Sequence, residues 1–132
     1  LKQAILNAEL DTSGEIRLHI ENTCSGDVMD RAALVFEKLN MHKTALRNGV
    51  LIYLAINNRK YAIIGDSGIN HVVPPNFWDN IKTDMLTDFR QGNFFEGLSK
   101  AIEQTGRQLK KHFPYQKDDV NELPDDISFG DN

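Results

Sequence analysis

The stretch GVLIYLAIN, residues 49–57, constrains the fold more than any other part of the chain. It is almost continuously apolar and rich in β-forming residues, and it is far shorter than the ~20 residues that cross a bilayer. A run of this kind predicts a strand covered on both faces. Asn57-Asn58 then offers the positive φ values of a tight two-residue turn, and RKYAIIGD (59–66) runs back. A hairpin over residues 50–65 follows. Its first strand needs helices on both sides, and the flanking sequence supplies them.

Period-two alternation in EIRLHIE (15–21) sets Ile16, Leu18 and Ile20 against Glu15, Arg17, His19 and Glu21, which predicts a strand with one buried face. After the loop NTCSGD (22–27), Val28, Ala32, Val35, Phe36 and Leu39 share one helical face, with Ser25 or Asp27 placed to cap it. LKQAILNAEL (1–10) has helical spacing and composition. Phe77, Trp78, Ile81, Met85, Leu86 and Phe89 predict a helix over 77–90. Phe95, Leu98, Ile102, Leu109 and Phe113 predict another over 94–113, ended by Pro114. Residues 67–76 read as irregular. The order is helix, strand, helix, two strands, two helices, tail.

A strand–helix–strand unit over 15–56 makes a parallel crossover, and the hairpin adds an antiparallel neighbour. The fold class is α/β, a three-layer αβα sandwich around a small mixed sheet of three to four strands. The fourth strand forms if Ile127–Phe129 pairs with a sheet edge. This topology sets the loop Gly65–Asn70 beside Asp11–Glu15 and Arg47–Gly49, and the loop 22–27 at the opposite end of the sheet. Residues 1–117 read as one domain and 118–132 as an acidic C-terminal segment.

Charge is distributed unevenly. The chain carries 15 basic and 19 acidic residues, but six of the acids lie in residues 118–132, so residues 1–117 hold 15 bases against 13 acids. A body so near neutrality has no electrostatic footprint for nucleic acid. No membrane-spanning run is present. One cysteine, Cys24, allows no intrachain disulfide. No apolar leader opens the chain, and the expected location is cytoplasmic.

Three segments carry a family likeness. TSGEIRLHIE (12–21), RNGVLIYLAINNRKYAIIGDSGI (47–69) and FRQGNFFEGLSKAIEQTG (89–106) resemble the TPM domain family, over about residues 1–113. That family includes a thylakoid-lumen protein described as an acid phosphatase, photosystem II maintenance proteins and many bacterial proteins. The resemblance implies an αβα sandwich, divalent-metal binding through carboxylates and, in some members, weak phosphatase activity. With no anchor or leader in view, the chain looks like a stand-alone bacterial-type member.

The candidate chemistry is oxygen-rich. In DDVNELPDD, Asp118, Asp119, Asn121, Glu122, Asp125 and Asp126 all offer side-chain oxygens. Ca²⁺ takes about six to eight oxygens in irregular geometry, and Mg²⁺ needs fewer from the protein. The spacing is not that of an EF-hand. The other reading is a solvated acidic terminus. Against it stand Val120, Leu123, Ile127 and Phe129 among the acids, with Pro124 stiffening the middle. In GDSGI (65–69), Asp66 either ligates the same ion, pinning the tail to this loop, or bonds the amides of its own turn. Gly68 permits close backbone approach there.

The expected function is therefore a Ca-type divalent-metal binding module, a metal-responsive regulatory or interaction module whose surface a protein partner reads, with Mg possible. The alternative is a metal-dependent acid phosphatase, with Arg47 placed to meet a phosphate. A third reading is an adaptor without an ion. Asp79, Asp84, Asp88 and Glu96 read as solvated surface, with ligation a minority option. His19 faces the second side of the sheet, His42, His71 and His112 sit in loops or helix ends, and no zinc-hydrolase spacing occurs. Cys24 reads as a structural thiol, and Ser67 lacks a nucleophile elbow.

Overall fold

The computed structural model describes residues 2–10, 12–114 and 127–130. Its elements are α1 (Lys2–Glu9), β1 (Glu15–Glu21), α2 (Val28–Lys38), β2 (Gly49–Ala55), β3 (Lys60–Gly65), α3 (Ser67–Asn70), α4 (Phe77–Arg90), α5 (Phe94–His112) and β4 (Ser128–Phe129). The strands form one open mixed sheet in the order β3-β2-β1-β4. β1 and β2 run parallel with Glu15 opposite Gly49 and Glu21 opposite Ala55. β3 returns antiparallel to β2, and β4 lies parallel to β1, pairing His19 with Ser128 and Ile20 with Phe129.

Helices cover both faces, as the apolar strand demanded. Ile16, Leu18, Val50, Ile52 and Leu54 pack against α1, α3, α4 and α5 through Ile5, Ile69, Ile81, Met85, Leu98, Ile102 and Leu109. On the opposite face Leu51, Tyr53 and Ala55 meet Ala32, Val35 and Phe36 of α2. Gly106 backs directly onto Ala8, where a Cβ would collide, so α1 and α5 approach closely. Asp27 caps α2, its carboxylate accepting from the amides of Met29 and Asp30.

Three local expectations change. The hairpin turn takes four residues, Ile56–Arg59, and the positive φ falls on Arg59, not on Asn57 or Asn58. The amide of Arg59 donates to the carbonyl of Ile56 and closes that turn. Residues 67–70 form a single helical turn, α3, in place of irregular chain. β1 is buried on both faces: Glu15, His19 and Glu21 are covered as fully as the apolar side. β1 lies between β2 and β4, and Arg31 of α2 covers Glu21, so most of its polar side is closed off from water.

Candidate functional site

At the sheet end where β1 and β2 begin, Asp66 leaves β3 with an extended backbone and caps α3, its Oδ1 accepting from the Ser67 amide at 2.8 Å. The same carboxylate takes two hydrogen bonds from the Arg47 guanidinium, Nε to Oδ2 at 2.7 Å and Nη2 to Oδ1 at 2.8 Å. Arg47 reaches it from a backbone in the left-handed region, φ 51. The backbones lock as well: the Gly68 amide donates to the Arg47 carbonyl at 2.7 Å and the Asp66 amide to the Gly49 carbonyl at 2.9 Å. A Cβ on Gly68 would run into the carbonyl oxygens of Leu46 and Arg47, so close approach is what requires glycine there. The hydrogen bonds and charge of Asp66 raise the Arg47 pKa above its ordinary value. The pair borders a groove of about 380 Å³ that Phe36, Glu37, His42 and Ile64 also line.

Of the expected metal ligands, only Asp66 falls in the described residues. Its turn role is present, and so is its proximity to Arg47. Asp118, Asp119, Asn121, Glu122, Asp125 and Asp126 lie outside the described residues. The chain on either side of them is placed. Pro114 bridges to Thr12, whose hydroxyl donates to the Phe113 carbonyl, and the Ser13 amide donates to the same carbonyl at 2.9 Å. At the other end β4 joins β1, and the Gly130 amide donates to the Ile20 carbonyl at 2.9 Å. Among the described residues no group of three or more His, Cys, Asp or Glu side chains is set to hold a metal. Asp79, Asp84 and Glu96 are exposed. Asp88 pairs with Lys100 at 3.4 Å.

The opposite end of the sheet holds a network that the sequence pattern did not announce. Glu21, 2% exposed, receives Arg31 Nε at 3.0 Å and a second, shorter bond from Arg31 Nη2. The Tyr53 hydroxyl donates to its Oε2 at 2.5 Å. His19 Nε2 lies 3.2 Å from Oε1. A carboxylate only accepts, so Nε2 carries a proton toward Glu21, and Nδ1 shares a hydrogen bond with the hydroxyl of Ser128 at 2.7 Å. The rings of His19 and Tyr53 stack at 6.0 Å. Burial alone pushes the Glu21 carboxyl up. The hydrogen bonds from Arg31, Tyr53 and His19, with the Arg31 charge, outweigh burial and lower it to about 2. Burial and the facing carboxylate push the Tyr53 phenol up, so it remains a donor. This network joins β1, β2, α2 and β4.

The TPM domain family matches residues 1–108. The chain belongs to the TPM domain family. The NMR structure of the BA42 protein from the psychrophilic bacterium Bizionia argentinensis is similar at 50% identity and a TM-score of 0.89, covering 98% of this chain and 89% of that one. The NMR structure of the N-terminal domain of a P. gingivalis protein shares the fold, with 18% identity, a TM-score of 0.66 and coverage of 87% of this chain and 80% of that one. No curated protein matches the chain. In this TPM domain, no described helix is long and apolar enough to cross a membrane.

Proposed function

We propose that this TPM domain is a Ca-type divalent-cation binding module whose ion is held by Asp118, Asp119, Asn121, Glu122, Asp125 and Asp126. The supporting observation is that the chain is fixed on both sides of that acidic run. Pro114 is tied to Thr12, and Ser128–Phe129 is paired to β1. Fixed ends reduce the entropy that ordering a ligand loop costs. They also set the run apart from a free solvating tail. Adjacent carboxylates repel, and a dication relieves that repulsion. Mg²⁺ suits the same oxygens less well because it keeps most of its waters.

Asp66 is the body-side ligand in this reading. Pro114 stands at the sheet end where Asp66 sits, since Thr12 and Ser13 hold Phe113 and Pro114 there. Arg47 already neutralises Asp66, so an ion drawing on this carboxylate competes with the guanidinium. The phosphate-ester alternative has less support, because Arg47 is committed to Asp66 in a bidentate pair.

The test is an amide NMR titration of the full chain with Ca²⁺ from an EDTA baseline, with Mg²⁺ in parallel. Joint, saturable shifts for residues 118–126 and Gly65–Asn70 are expected. Asp66→Asn should weaken Ca²⁺ binding without abolishing it. Spectra unchanged by Ca²⁺ would overturn the proposal, and shifts confined to residues 118–126 would remove Asp66 from the ligand set.

A further inference from the structure

The Glu21 network opens to the surface on one side. A cleft of about 300 Å³ lies there, bounded by β1, α2 and β4, at the lower end of the size range of small-molecule pockets. Its polar part is Arg31, Lys38 and Glu21, and its apolar part is Val35, Leu39 and Phe129. Arg31 uses Nε and Nη2 on the Glu21 carboxylate. A guanidinium has five N–H donors, so Nη1 stands outside that pair, on a side chain that is 31% exposed. The pair also fixes the plane of the guanidinium, so a ligand arriving at its outer edge has little left to order. Lys38 follows Arg31 by seven residues on the same helical face of α2. It is exposed and has no ion-pair partner among the described residues. Arg31 and Glu21 offset one another, and Lys38 gives the cleft one positive charge more. Phe129, 69% exposed, forms an apolar wall beside these cations. A strongly shifted carboxylate beside such a cleft is a common mark of a ligand site.

We propose that this cleft binds a small organic monocarboxylate with an aromatic or aliphatic body. The carboxylate meets Arg31 Nη1 and Lys38, and the body lies across Leu39 and Phe129. A planar carboxylate matches the flat edge of a guanidinium. One spare positive charge suits one negative charge. A phosphate dianion fits less well, because the ionised Glu21 lines the same cleft and repels the second charge. The apolar walls supply the rest of the affinity, and they reject a bare inorganic anion. The site leaves β4 in place and uses no metal. It lies at the opposite end of the sheet from Asp66 and is independent of the ion proposed above.

The test is an amide NMR titration of the full chain with sodium phenylacetate and with sodium hexanoate. Divalent ions are removed beforehand on a chelating resin, since EDTA is itself a carboxylate. Saturable shifts centred on Val35, Lys38, Leu39 and Gly130 are expected, with a Kd on the order of 1 mM for ligands of this size. Phenylacetamide keeps the ring without the charge and should bind about tenfold or more weakly. Lys38→Gln should weaken phenylacetate about fivefold. Lys111→Gln removes an exposed lysine of α5 outside the cleft and should not. Both lysines are exposed, so both variants keep the fold. Phe129→Ala should weaken both acids by removing the wall they share. Asp66→Asn should leave the Kd unchanged, so this site stands or falls apart from the cation module. Shifts of both acids that remain linear to about 20 mM overturn the proposal. So do equal binding of phenylacetate and phenylacetamide, and equal effects of the two lysine substitutions. Phenyl phosphate binding more tightly than phenylacetate would overturn the monocarboxylate as the ligand class.

Discussion

The sheet carries an acid–arginine pair at each end, and the two are built differently. Asp66 and Arg47 meet where β1 and β2 begin, Glu21 and Arg31 where they end. Arg47 leaves half its side chain in solvent, against 31% for Arg31. Asp66 shares its carboxylate between Arg47 and one amide of its own turn. Glu21 gathers Arg31, Tyr53 and His19 from three elements, with no side-chain exposure. One pair tethers two loops with its arginine half in solvent. The other is a filled internal network whose removal leaves a charge with nowhere to go.

The sharpest way to break this comparison is to delete each arginine. Arg31→Ala strands the Glu21 carboxylate under α2, and losing one partner of a buried pair costs about 3–5 kcal/mol. Arg47→Ala opens Asp66 to water and leaves it the Ser67 amide, so its loss should be several times smaller. Urea unfolding of both variants reads the difference directly. Equal losses would mean that the two ends are energetically alike.

Acid separates Glu21 from ordinary carboxylates. Its folded pKa, about 2, lies below the ordinary glutamate value of 4.5. The folded state therefore favours the charged form, and the resulting stability is fully present above pH 4.5. It is lost as pH falls from 4.5 toward 2, and a shift of this size corresponds to about 3 kcal/mol. Glu21→Gln should flatten that part of the stability–pH curve while lowering stability at pH 7. A curve of unchanged slope in the variant would assign the acid sensitivity elsewhere. Tyr53→Phe sharpens the comparison further. It removes one donor to a charged acceptor and little volume, so about 1.5–3 kcal/mol should be lost.

Much of this architecture is legible from local pattern. The unbroken apolar character of β2 requires helices on both faces, and the 3.6-residue spacing in α2, α4 and α5 supplies them. The same topology brings Arg47 to Asp66, because the return strand of a hairpin ends where its partner begins. The Glu21 network escapes a local reading. His19, Glu21, Arg31, Tyr53 and Ser128 come from four separate stretches, and a polar residue at every second position looks like a solvated face. A signal was available in the topology itself. A parallel crossover lays α2 on the sheet face to which Glu15, His19 and Glu21 point, and a fourth strand at its edge makes β1 internal. A carboxylate placed there needs a cation, and Arg31 on the covering helix is one. The hairpin turn was hidden for a different reason. Asn tolerates positive φ, but the four-residue loop asks for it at Arg59.

The smallest expected effect tests which end of the sheet holds the C-terminal strand. Ser128 reaches His19, and His19 reaches Glu21, so β4 belongs to the buried network and is separated from Asp66 by β1 and β2. Ser128→Ala removes one hydrogen bond, about 1 kcal/mol, from a strand of two residue pairs. Global unfolding should barely move, because β4 can open without the rest of the sheet. Amide exchange at Gly130, whose N–H donates to Ile20, should rise about fivefold for that free energy. Asp66→Asn should leave the same amide unchanged in EDTA. If it accelerates Gly130 instead, the two ends are coupled through the sheet, and the strand reports on the loop around Asp66 as well as on Glu21.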